Sequence, residues 1–202
     1  ISKLTIKLGS DEDQYTGLFG CFMPKTPNDS IKNLTVEQVN IIGYEYVAAI
    51  VGYLTNGSII NCHVSGNIFA TDGYSGGITG YAENNSVIEY CTNSADLNSP
   101  GINSVGGIAG YVYDTCSIKY CSSSGNISGY SYIGGIVGEC YESEIMNCYN
   151  TGKIKAEEGQ AGGISGYSSY AAILFCYNTD EVVGNYNIGG ISGQGDKTSI
   201  DQ

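Results

Sequence analysis

Glycine and isoleucine form a short pattern, Gly-Gly-Ile-x-Gly, that returns about every 28 residues along the chain. The marker isoleucines are separated by 28, 30, 28, 28 and 27 residues and lie at Ile50, Ile78, Ile108, Ile136, Ile164 and Ile191. A looser seventh copy, Gly17-Leu18-Phe19-Gly20, precedes them, and the copy at Ile50 has alanines in place of the paired glycines. Self-similarity at a fixed period of this length indicates a repeat architecture.

A second apolar pattern follows inside the repeat. It reads Ile-x-x-Cys, and another apolar residue stands six positions after the cysteine, as in Ile88, Cys91 and Leu97. The repeat varies in length only after this point, in a stretch rich in Ser, Asn, Gly, Asp and Tyr, which is typical of surface turns. Each repeat is therefore predicted to be one structural unit joined to the next by a variable turn.

The period and the residue types together predict an all-β fold. Leucine-rich repeats of similar length need a Leu-x-x-Leu-x-Leu pattern that this chain lacks, and propeller blades need about 40 residues. Helical repeats are disfavoured because each unit carries several glycines and its apolar residues are mostly Ile, Val and Tyr. We therefore predict a right-handed parallel β-helix, or β-solenoid, of about seven coils. Each coil would have three short strands, at Gly-Gly-Ile-x-Gly, at Ile-x-x-Cys and at Gly-x-Ile.

Strand alternation predicts which side chains face the core. If Gly-Gly-Ile-x-Gly is one straight strand, Ile78 points inward with its flanking glycines, whereas Thr79 and Tyr81 point outward. The odd spacing of Ile-x-x-Cys prevents its two apolar residues from sharing one face of a straight strand. We therefore expect the chain to bend between them at a corner of the coil, so that both are buried.

The cysteines of the Ile-x-x-Cys pattern are expected to stack as a column of small apolar side chains in the core. Equivalent residues of adjacent coils lie about 4.8 Å apart, whereas disulfide-bonded Cβ atoms lie nearer 3.8 Å, so pairing within the column is disfavoured. Leu34 occupies this position in the first repeat, as expected of a core site. Cys116 and Cys140 lie outside the column in neighbouring repeats, so a disulfide between these two cysteines remains possible. The predicted column comprises Cys62, Cys91, Cys121, Cys148 and Cys176.

The charge of the chain is one-sided. Twenty acidic residues stand against eight lysines and no arginine, for a net charge of -12. Nucleic acid and anionic membranes are therefore not expected as partners, because their phosphates are bound by Lys and Arg. No hydrophobic run reaches the ~18 residues of a membrane span, so no membrane contact is expected within this segment.

Residues for catalysis or metal binding are scarce. His63 is the single histidine, which excludes a His-Glu-x-x-His zinc site, and Asp11-Glu12-Asp13 lacks the spacing of a calcium loop and is interpreted as a solvated acidic turn. A β-helical polysaccharide-degrading enzyme is the alternative class. Hydrolysis needs carboxylates about 5–9.5 Å apart, and uronate lyases need a cation to neutralise their substrate, yet no departure from the repeat marks such a site. We expect no catalytic residue, no metal and no cofactor.

The tyrosines give the candidate binding surface. Tyr53, Tyr81, Tyr111 and Tyr167 each follow the last glycine of the Gly-Gly-Ile-x-Gly pattern. Stacked outward, they would form either a contact face for sugar rings or a protein, or an intramolecular ladder that stabilises the stacking of coils. The sequence leaves both possibilities open.

The repeated elements resemble the GLUG-motif repeat of bacterial surface proteins. The resemblance rests on the five Gly-Gly-Ile-x-Gly segments, on Ser58-Ile59-Ile60-Asn61-Cys62 and on Gly66-Asn67-Ile68 with their counterparts. It implies an extracellular, noncatalytic repeat region of a surface or adhesin-like protein, whose partner would be an unknown host or cell-surface glycan or protein. Similar repeats also occur beside the catalytic domain of IgA-cleaving metallopeptidases, so a passive spacer and an accessory module of a secreted protease are the alternatives.

The domain organisation follows from the same periodicity. Residues 1–202 are interpreted as one β-helical domain and as a segment of a larger protein. It would comprise an opening coil at 1–45, complete repeats at 46–186 and a truncated last repeat at 187–202.

Overall fold

The computed structural model describes residues 1–7, 14–26, 29–101 and 104–201. The acidic segment Asp11-Glu12-Asp13 lies outside the described residues. Within the described ranges the secondary structure is entirely β. The same ranges contain no helix long and apolar enough to span a membrane.

The strands are short, apart from two long ones near the N-terminus. The first half of the chain contains β1 (Thr5–Lys7), β2 (Tyr15–Thr16), β3 (Phe19–Phe22), β4 (Ser30–Gly43), β5 (Tyr46–Ala48), β6 (Val51–Thr55), β7 (Ser58–Ala70), β8 (Tyr74–Gly76), β9 (Thr79–Glu83), β10 (Val87–Glu89), β11 (Thr92–Asn93), β12 (Asp96–Ser99), β13 (Ser104–Gly106) and β14 (Ala109–Val112). The second half contains β15 (Ser117–Lys119), β16 (Ser122–Ser123), β17 (Ile127–Gly129), β18 (Ile133–Gly134), β19 (Val137–Tyr141), β20 (Glu144–Met146), β21 (Tyr149–Asn150), β22 (Ile154–Ala156), β23 (Ala161–Gly162), β24 (Ser165–Ser169), β25 (Ala172–Leu174), β26 (Tyr177–Asn178), β27 (Val182–Val183), β28 (Ile188–Gly189), β29 (Ser192–Asp196) and β30 (Ser199–Asp201).

These strands form three parallel sheets that run along the axis of the stack. One seven-stranded sheet has the order β2-β5-β8-β13-β18-β23-β28, and we call it the first sheet. The second sheet, also seven-stranded, has the order β3-β6-β9-β14-β19-β24-β29, and the third contains sixteen strands, including β4, β7 and β10. Each strand pairs with its counterpart about one repeat away along the chain, which confirms the predicted β-solenoid of about seven coils.

The register places equivalent residues of successive coils directly over one another. Ile59 pairs with Ile88, Ile88 with Ile118 and Ile118 with Ile145, and all four are buried. The core is therefore a set of vertical columns, in which each apolar side chain packs on the same residue type above and below. At the N-terminal end β1 pairs with β4 and adds a partial layer beneath the first coil.

The prediction that Gly-Gly-Ile-x-Gly forms one straight strand was wrong. In the third coil β8 ends at Gly76, the chain bends at Gly77 and Ile78, and β9 begins at Thr79 on the second sheet. Ile78 and Thr79 are both fully buried, so strand alternation does not continue through the motif and Thr79 does not point outward. The motif is the corner that joins the first sheet to the second.

Close backbone approach explains why this corner requires glycine. A Cβ atom on Gly134 would lie 1.8 Å from the carbonyl oxygen of Val137, three residues ahead in the same corner. A Cβ atom on Gly135 would lie 2.1 Å from the carbonyl oxygen of Gly163, at the same corner of the next coil. The first glycine thus lets the chain fold back on itself, and the second lets successive corners stack.

The predicted bend within Ile-x-x-Cys is confirmed. The residue before each cysteine has a positive φ of 53–55°, in the left-handed region that turns the chain sharply. As a result the isoleucine and the cysteine of each copy are both buried, although an odd number of positions separates them. The residues at this bend are Asn61, Tyr90, Tyr120, Asn147 and Phe175.

Candidate functional site

The four tyrosines predicted as a contact face lie in one register column of the second sheet. Tyr53 pairs with Tyr81 and Tyr81 with Tyr111, while Tyr167 lies two coils beyond Tyr111 with Glu139 between them. The ring centroids are 5.4 Å apart for Tyr53 and Tyr81 and 4.9 Å apart for Tyr81 and Tyr111, and both pairs are stacked. All four side chains are half-buried.

A second tyrosine column, which the sequence analysis missed, lies on the first sheet beside this one. It consists of Tyr15, Tyr46 and Tyr74, paired in register. Its rings meet the first column edge to face, with centroids 5.5 Å apart for Tyr46 and Tyr81 and 5.0 Å apart for Tyr74 and Tyr111. The sequence carried a signal, since each of these tyrosines stands two residues before the paired glycines or their substitutes. We call the two columns together the tyrosine ladder.

Contacts within the chain hold the ladder together. The Tyr53 hydroxyl donates to Glu83 Oε1 at 2.5 Å, and burial raises the pKa of the phenols of Tyr53, Tyr81 and Tyr111 well above its ordinary value. Packed aromatic pairs contribute about 0.5–1.5 kcal/mol each beyond the area that they bury. Because neighbouring rings cover the ring faces, this geometry favours a structural role for the ladder over a platform for sugar rings.

Both columns of the ladder are interrupted, at positions that lie next to each other in successive coils. Ser104 pairs with Tyr74 on the first sheet, where a tyrosine would continue the column, and Glu139 pairs with Tyr111 on the second sheet. The Glu139 side chain is 7% exposed and accepts hydrogen bonds from the Ser104 hydroxyl and, at 2.9 Å, from the Tyr141 hydroxyl. Loss of solvation raises the pKa of its carboxyl group above the ordinary value of 4.5, against the lowering effect of both hydrogen bonds.

Tyr141 restores the ring stack that Glu139 interrupts. It lies two residues beyond the column position, yet its ring centroid is 5.3 Å from that of Tyr111 and 5.3 Å from that of Tyr167. The aromatic column therefore bypasses the carboxylate rather than ending at it. Glu139 remains in the column as a buried acid surrounded by tyrosines.

The cysteines of the Ile-x-x-Cys pattern form a continuous column in the third sheet, at the bend between successive strands such as β10 and β11. Each thiol donates to the carbonyl oxygen two residues earlier, at 3.2 Å for Cys121 and Lys119. The Cys121 sulfur also accepts from the backbone nitrogen of Cys91 at 3.5 Å, which ties adjacent coils together. All five cysteines are fully buried and carry free thiols, and burial raises the pKa of Cys121 above its ordinary value.

The two buried cysteines outside the column are also free thiols. Cys116 and Cys140 are not bonded to each other, so the disulfide left open by their sequence positions is not formed, and both side chains are at most 2% exposed. Burial raises the pKa of the Cys116 thiol to about 12 and raises that of Cys140 above its ordinary value. Both thiols therefore remain protonated and behave as small apolar side chains.

Five exposed aromatic side chains flank the cysteine column on the outer surface. These side chains were not predicted from the sequence, although each is the immediate neighbour of a cysteine of the column. The rings of Tyr90 and Tyr120 stack at 4.9 Å, and those of Tyr149 and Tyr177 at 5.2 Å. We call this surface the aromatic ridge; its members are 38–54% exposed and comprise Tyr90, Tyr120, Tyr149, Phe175 and Tyr177.

Three residues of the ridge adopt a backbone conformation that bulky side chains rarely take. Tyr90, Tyr120 and Phe175 have φ values of 55°, 54° and 53°. Asparagine occupies the same bend in other coils, at Asn61 and Asn147, and it tolerates the left-handed region far better. The ridge thus places large aromatic rings where the local backbone favours asparagine.

The remaining polar candidates have ordinary partners. His63 Nδ1 lies 2.8 Å from Thr92 Oγ1, in the small space between two coils. In the part of the chain that the structure describes, no three His, Cys, Asp or Glu side chains are grouped to hold a metal ion.

Comparison with known proteins agrees with the geometry of the repeat. The GLUG motif matches four consecutive segments, residues 43–68, 71–98, 101–128 and 129–155, which together span more than half of the chain. No curated protein and no solved structure gives a significant match. With the repeated glycine corners and the stacked coils in the same register, these four tandem matches show that the chain belongs to the GLUG-motif family.

Proposed function

We propose that this chain is a noncatalytic, extracellular repeat domain of a bacterial surface protein, and that it binds a host or cell-surface glycan or protein through the aromatic ridge. The observation that carries the proposal is the set of aromatic rings in the ridge, which stay exposed beside a fully buried column. Large aromatic side chains with polar tips are the residues that most often anchor a partner at a binding surface.

The backbone conformation of the ridge supports this role. A non-glycine residue held in the left-handed region costs of order 1–3 kcal/mol, and such residues cluster at functional sites. Tyr90 and Tyr120 accept that cost without burying their rings, which are 51% and 48% exposed. Burial in the core does not explain aromatic residues at these positions. The two rings cover one face of each other at 4.9 Å, and the surface that stays exposed is available to a partner.

The ridge replaces the four-tyrosine column as the candidate contact face. Tyr53, Tyr81 and Tyr111 are half-buried and their ring faces are occupied by other tyrosines. We assign to them the stabilisation of coil stacking and to the ridge the contact with ligand. The net charge of -12 argues against nucleic acid and anionic membranes as partners.

A passive spacer is the second candidate function. The continuous in-register pairing of the coils favours it, because such a stack holds its two ends at a fixed separation. A spacer needs no contact surface, so the two functions differ in what the ridge does. An accessory role beside a protease would likewise leave the ridge without a required ligand.

The test is binding of the purified protein to arrays of host glycans and matrix proteins, with a Tyr90→Asn/Tyr120→Asn variant alongside. Asparagine is the residue that the chain itself places at this bend, in Asn61 and Asn147, so the variant is expected to fold. We expect a specific ligand whose binding falls at least tenfold in the variant, as for loss of a hot-spot residue. Binding that is unchanged in the variant would contradict the assignment of the ridge, and absence of any ligand would favour the spacer.

A matched control removes polar groups from the tyrosine ladder. Tyr81→Phe/Tyr111→Phe keeps the stacked rings, whose centroids are 4.9 Å apart, and deletes both hydroxyls. We expect this variant to bind as the unmodified protein does. If the control loses binding and the ridge variant does not, the contact face is the column first indicated by the sequence.

A further inference from the structure

The aromatic ridge contains a gap in its stack of rings. At the bend between isoleucine and cysteine, successive coils carry Tyr90, Tyr120, Asn147 and Phe175. The backbone nitrogens of the first three each donate to a carbonyl oxygen of the next coil at 3.0–3.1 Å, so the four residues lie over one another. Tyr90 covers one face of Tyr120, with ring planes 6° apart. Among the described residues no ring stacks on the other face, because the next coil carries an asparagine there.

The gap has the height of one ring. Tyr120 and Phe175 are two coils apart, or roughly 9.6 Å at ~4.8 Å per coil. A flat group midway between them would lie about 4.8 Å from each wall. That distance is close to the 4.9 Å at which Tyr90 stacks on Tyr120. The two walls are 48% and 54% exposed, so a ligand can reach them from solvent. We call this space the ridge gap, with Tyr120 and Phe175 as its walls and Asn147 as its floor.

The floor of the ridge gap is an amide that no other side chain satisfies. Asn147 is half-buried, and no described residue hydrogen-bonds to its side-chain oxygen or nitrogen. Asn61, at the same bend of an earlier coil, instead donates through its side-chain nitrogen to Asn33 Oδ1 at 2.8 Å. An amide side chain has two donors and an oxygen that accepts twice. The ridge gap therefore offers both donors and acceptors between two aromatic walls.

We propose that the ridge gap binds one pyranose ring of a neutral glycan. The C–H groups on the faces of a pyranose ring are attracted by the negative faces of aromatic rings, here those of Tyr120 and Phe175. Its hydroxyls can both donate to and accept from the Asn147 amide. This inference rests on the function proposed for the aromatic ridge, and it selects a glycan from the two ligand classes considered there.

The unpaired amide argues against other rings that would fit the space. A proline ring carries no donor, and a phenylalanine side chain carries neither donor nor acceptor. Either ring would cover Asn147 and leave its amide without partners, which costs free energy. A nucleobase has donors and acceptors, but in a nucleic acid it brings phosphates that a chain of net charge -12 repels. A neutral sugar avoids both penalties.

The experiment is saturation-transfer NMR of the purified protein with small probes. Four are the methyl glycosides of glucose, galactose, mannose and N-acetylglucosamine, and two are N-acetylproline amide and N-acetylphenylalanine amide. We expect at least one glycoside to bind, with the strongest transfer to its ring C–H protons, and both amide probes to bind at least tenfold more weakly. Binding of none of the four glycosides, or equal binding of either amide probe, would overturn the inference.

Two variants localise the sugar. Asn147→Tyr fills the ridge gap with the residue that the preceding coil carries at this bend, in Tyr120. Phe175→Asn removes one wall and introduces the residue that the chain carries there in Asn61 and Asn147. Each variant should bind the glycoside at least tenfold more weakly. Asn61→Tyr is the matched control, because it makes the same exchange at the same bend outside the ridge gap, and it should bind normally.

The variants also separate this inference from the proposed function. Suppose that a ligand found on the arrays is lost in Tyr90→Asn/Tyr120→Asn but is bound normally by Phe175→Asn and Asn147→Tyr. The ridge would then bind its ligand outside the gap, and the inference alone would be wrong. A ligand that the Tyr90→Asn/Tyr120→Asn variant still binds would instead contradict the proposed function. Phe175→Asn decides the first case even if Asn147→Tyr fails to fold.

Discussion

Replacement of Gly135 by alanine tests the stacking of glycine corners directly. The new Cβ atom would lie 2.1 Å from the carbonyl oxygen of Gly163 and 2.6 Å from the Cβ atom of Asn150. Asn150 cannot yield freely, since its side-chain amide is buried and donates to the carbonyl oxygen of Gly152 at 2.6 Å. The backbone of the next coil must therefore shift, and overpacking of this kind costs about 1–3 kcal/mol.

The second coil shows that a methyl group at this motif position is compatible with the fold. There Ala49 occupies the position of the second glycine, and the chain has Val64 where Asn150 stands three coils later. The corner can thus accommodate a methyl group when its surroundings differ, so we expect a loss of stability and not a loss of the fold. For a chain of this size, about 1–3 kcal/mol corresponds to a fall in Tm of roughly 2–12 °C.

Gly190 provides the matched control for this substitution. It occupies the same motif position in the last coil, and a Cβ atom there would meet nothing within 4 Å. Gly190→Ala should be neutral or stabilising by about 0.4–1 kcal/mol, because alanine restricts the unfolded chain. Urea unfolding followed by both circular dichroism and tyrosine fluorescence measures the two variants, and both probes are needed because repeat stacks unfold in parts. Equal effects of the two substitutions would refute the steric explanation of the motif.

Three further predictions concern other columns of the solenoid. In the native protein only Cys21, the single half-exposed thiol, should react with an aromatic disulfide reagent within minutes. The other seven cysteines are buried and should react only in denaturant. Fast labelling of more than one thiol would contradict the buried column. Burial raises the pKa of Glu139, so the folded state binds the carboxyl proton more tightly than the unfolded chain does. The stability that this proton contributes is therefore complete below the ordinary pKa of 4.5 and is lost as pH rises through the pKa of the folded state. Glu139→Gln should therefore be more stable than the unmodified protein at pH 7, with the difference vanishing near pH 4 in parallel urea titrations; a difference independent of pH would exclude this origin. Tyr141→Phe loses only the hydrogen bond to Glu139 and should cost about 1–3 kcal/mol in urea unfolding. Tyr141→Ala should cost about 1–3 kcal/mol more, because it also removes the ring contacts to Tyr111 and Tyr167.

The repeat length and the bend between isoleucine and cysteine were predictable from the sequence for a physical reason. A fixed separation between two buried residues constrains the path of the chain between them, whatever the intervening side chains are. An odd separation in a straight strand would expose one residue, so burial of both Ile88 and Cys91 requires a corner. The left-handed φ of Tyr90 is the form that this corner takes.

The glycine corner was not predictable by the same argument, because glycine has no side chain whose orientation could be inferred. Gly76, Ile78 and Gly80 have the spacing of an inward-facing strand, and that spacing is equally compatible with a bend. A straight strand and a bend differ in how close a Cβ atom added to each glycine would lie to the neighbouring coil. That distance is known only from the structure. The error then passed to Thr79, which was assigned to the outside and is fully buried.

The tyrosine ladder shows how a column position and its surroundings carry different information. The sequence placed Tyr53, Tyr81 and Tyr111 in one column, which the register reproduces. It did not show that a second column on the adjacent sheet covers them, because the relation between the two columns depends on the glycine corner. A residue that repeats in every coil is therefore weak support for binding, since the same repetition supplies it with partners.

Residues that break the repeat are easier to interpret when equivalent positions of successive coils are compared than when the chain is read in order. Glu139 visibly replaces the tyrosine that follows the last glycine in other copies, but Ser104 lies 35 residues away in a different column, so the linear sequence does not show that the two meet. In the stack they come from successive coils and are joined by a hydrogen bond, so a serine replaces a ring next to the buried carboxylate of a glutamate. Stability alone would be served better by continuing both tyrosine columns, because stacked rings add favourable contacts whereas a buried acid is costly. The cost of this pair lies in the buried acid, because Tyr141 restores the stacked rings beside it, and the comparison of Glu139→Gln with the unmodified protein at pH 7 measures that cost directly.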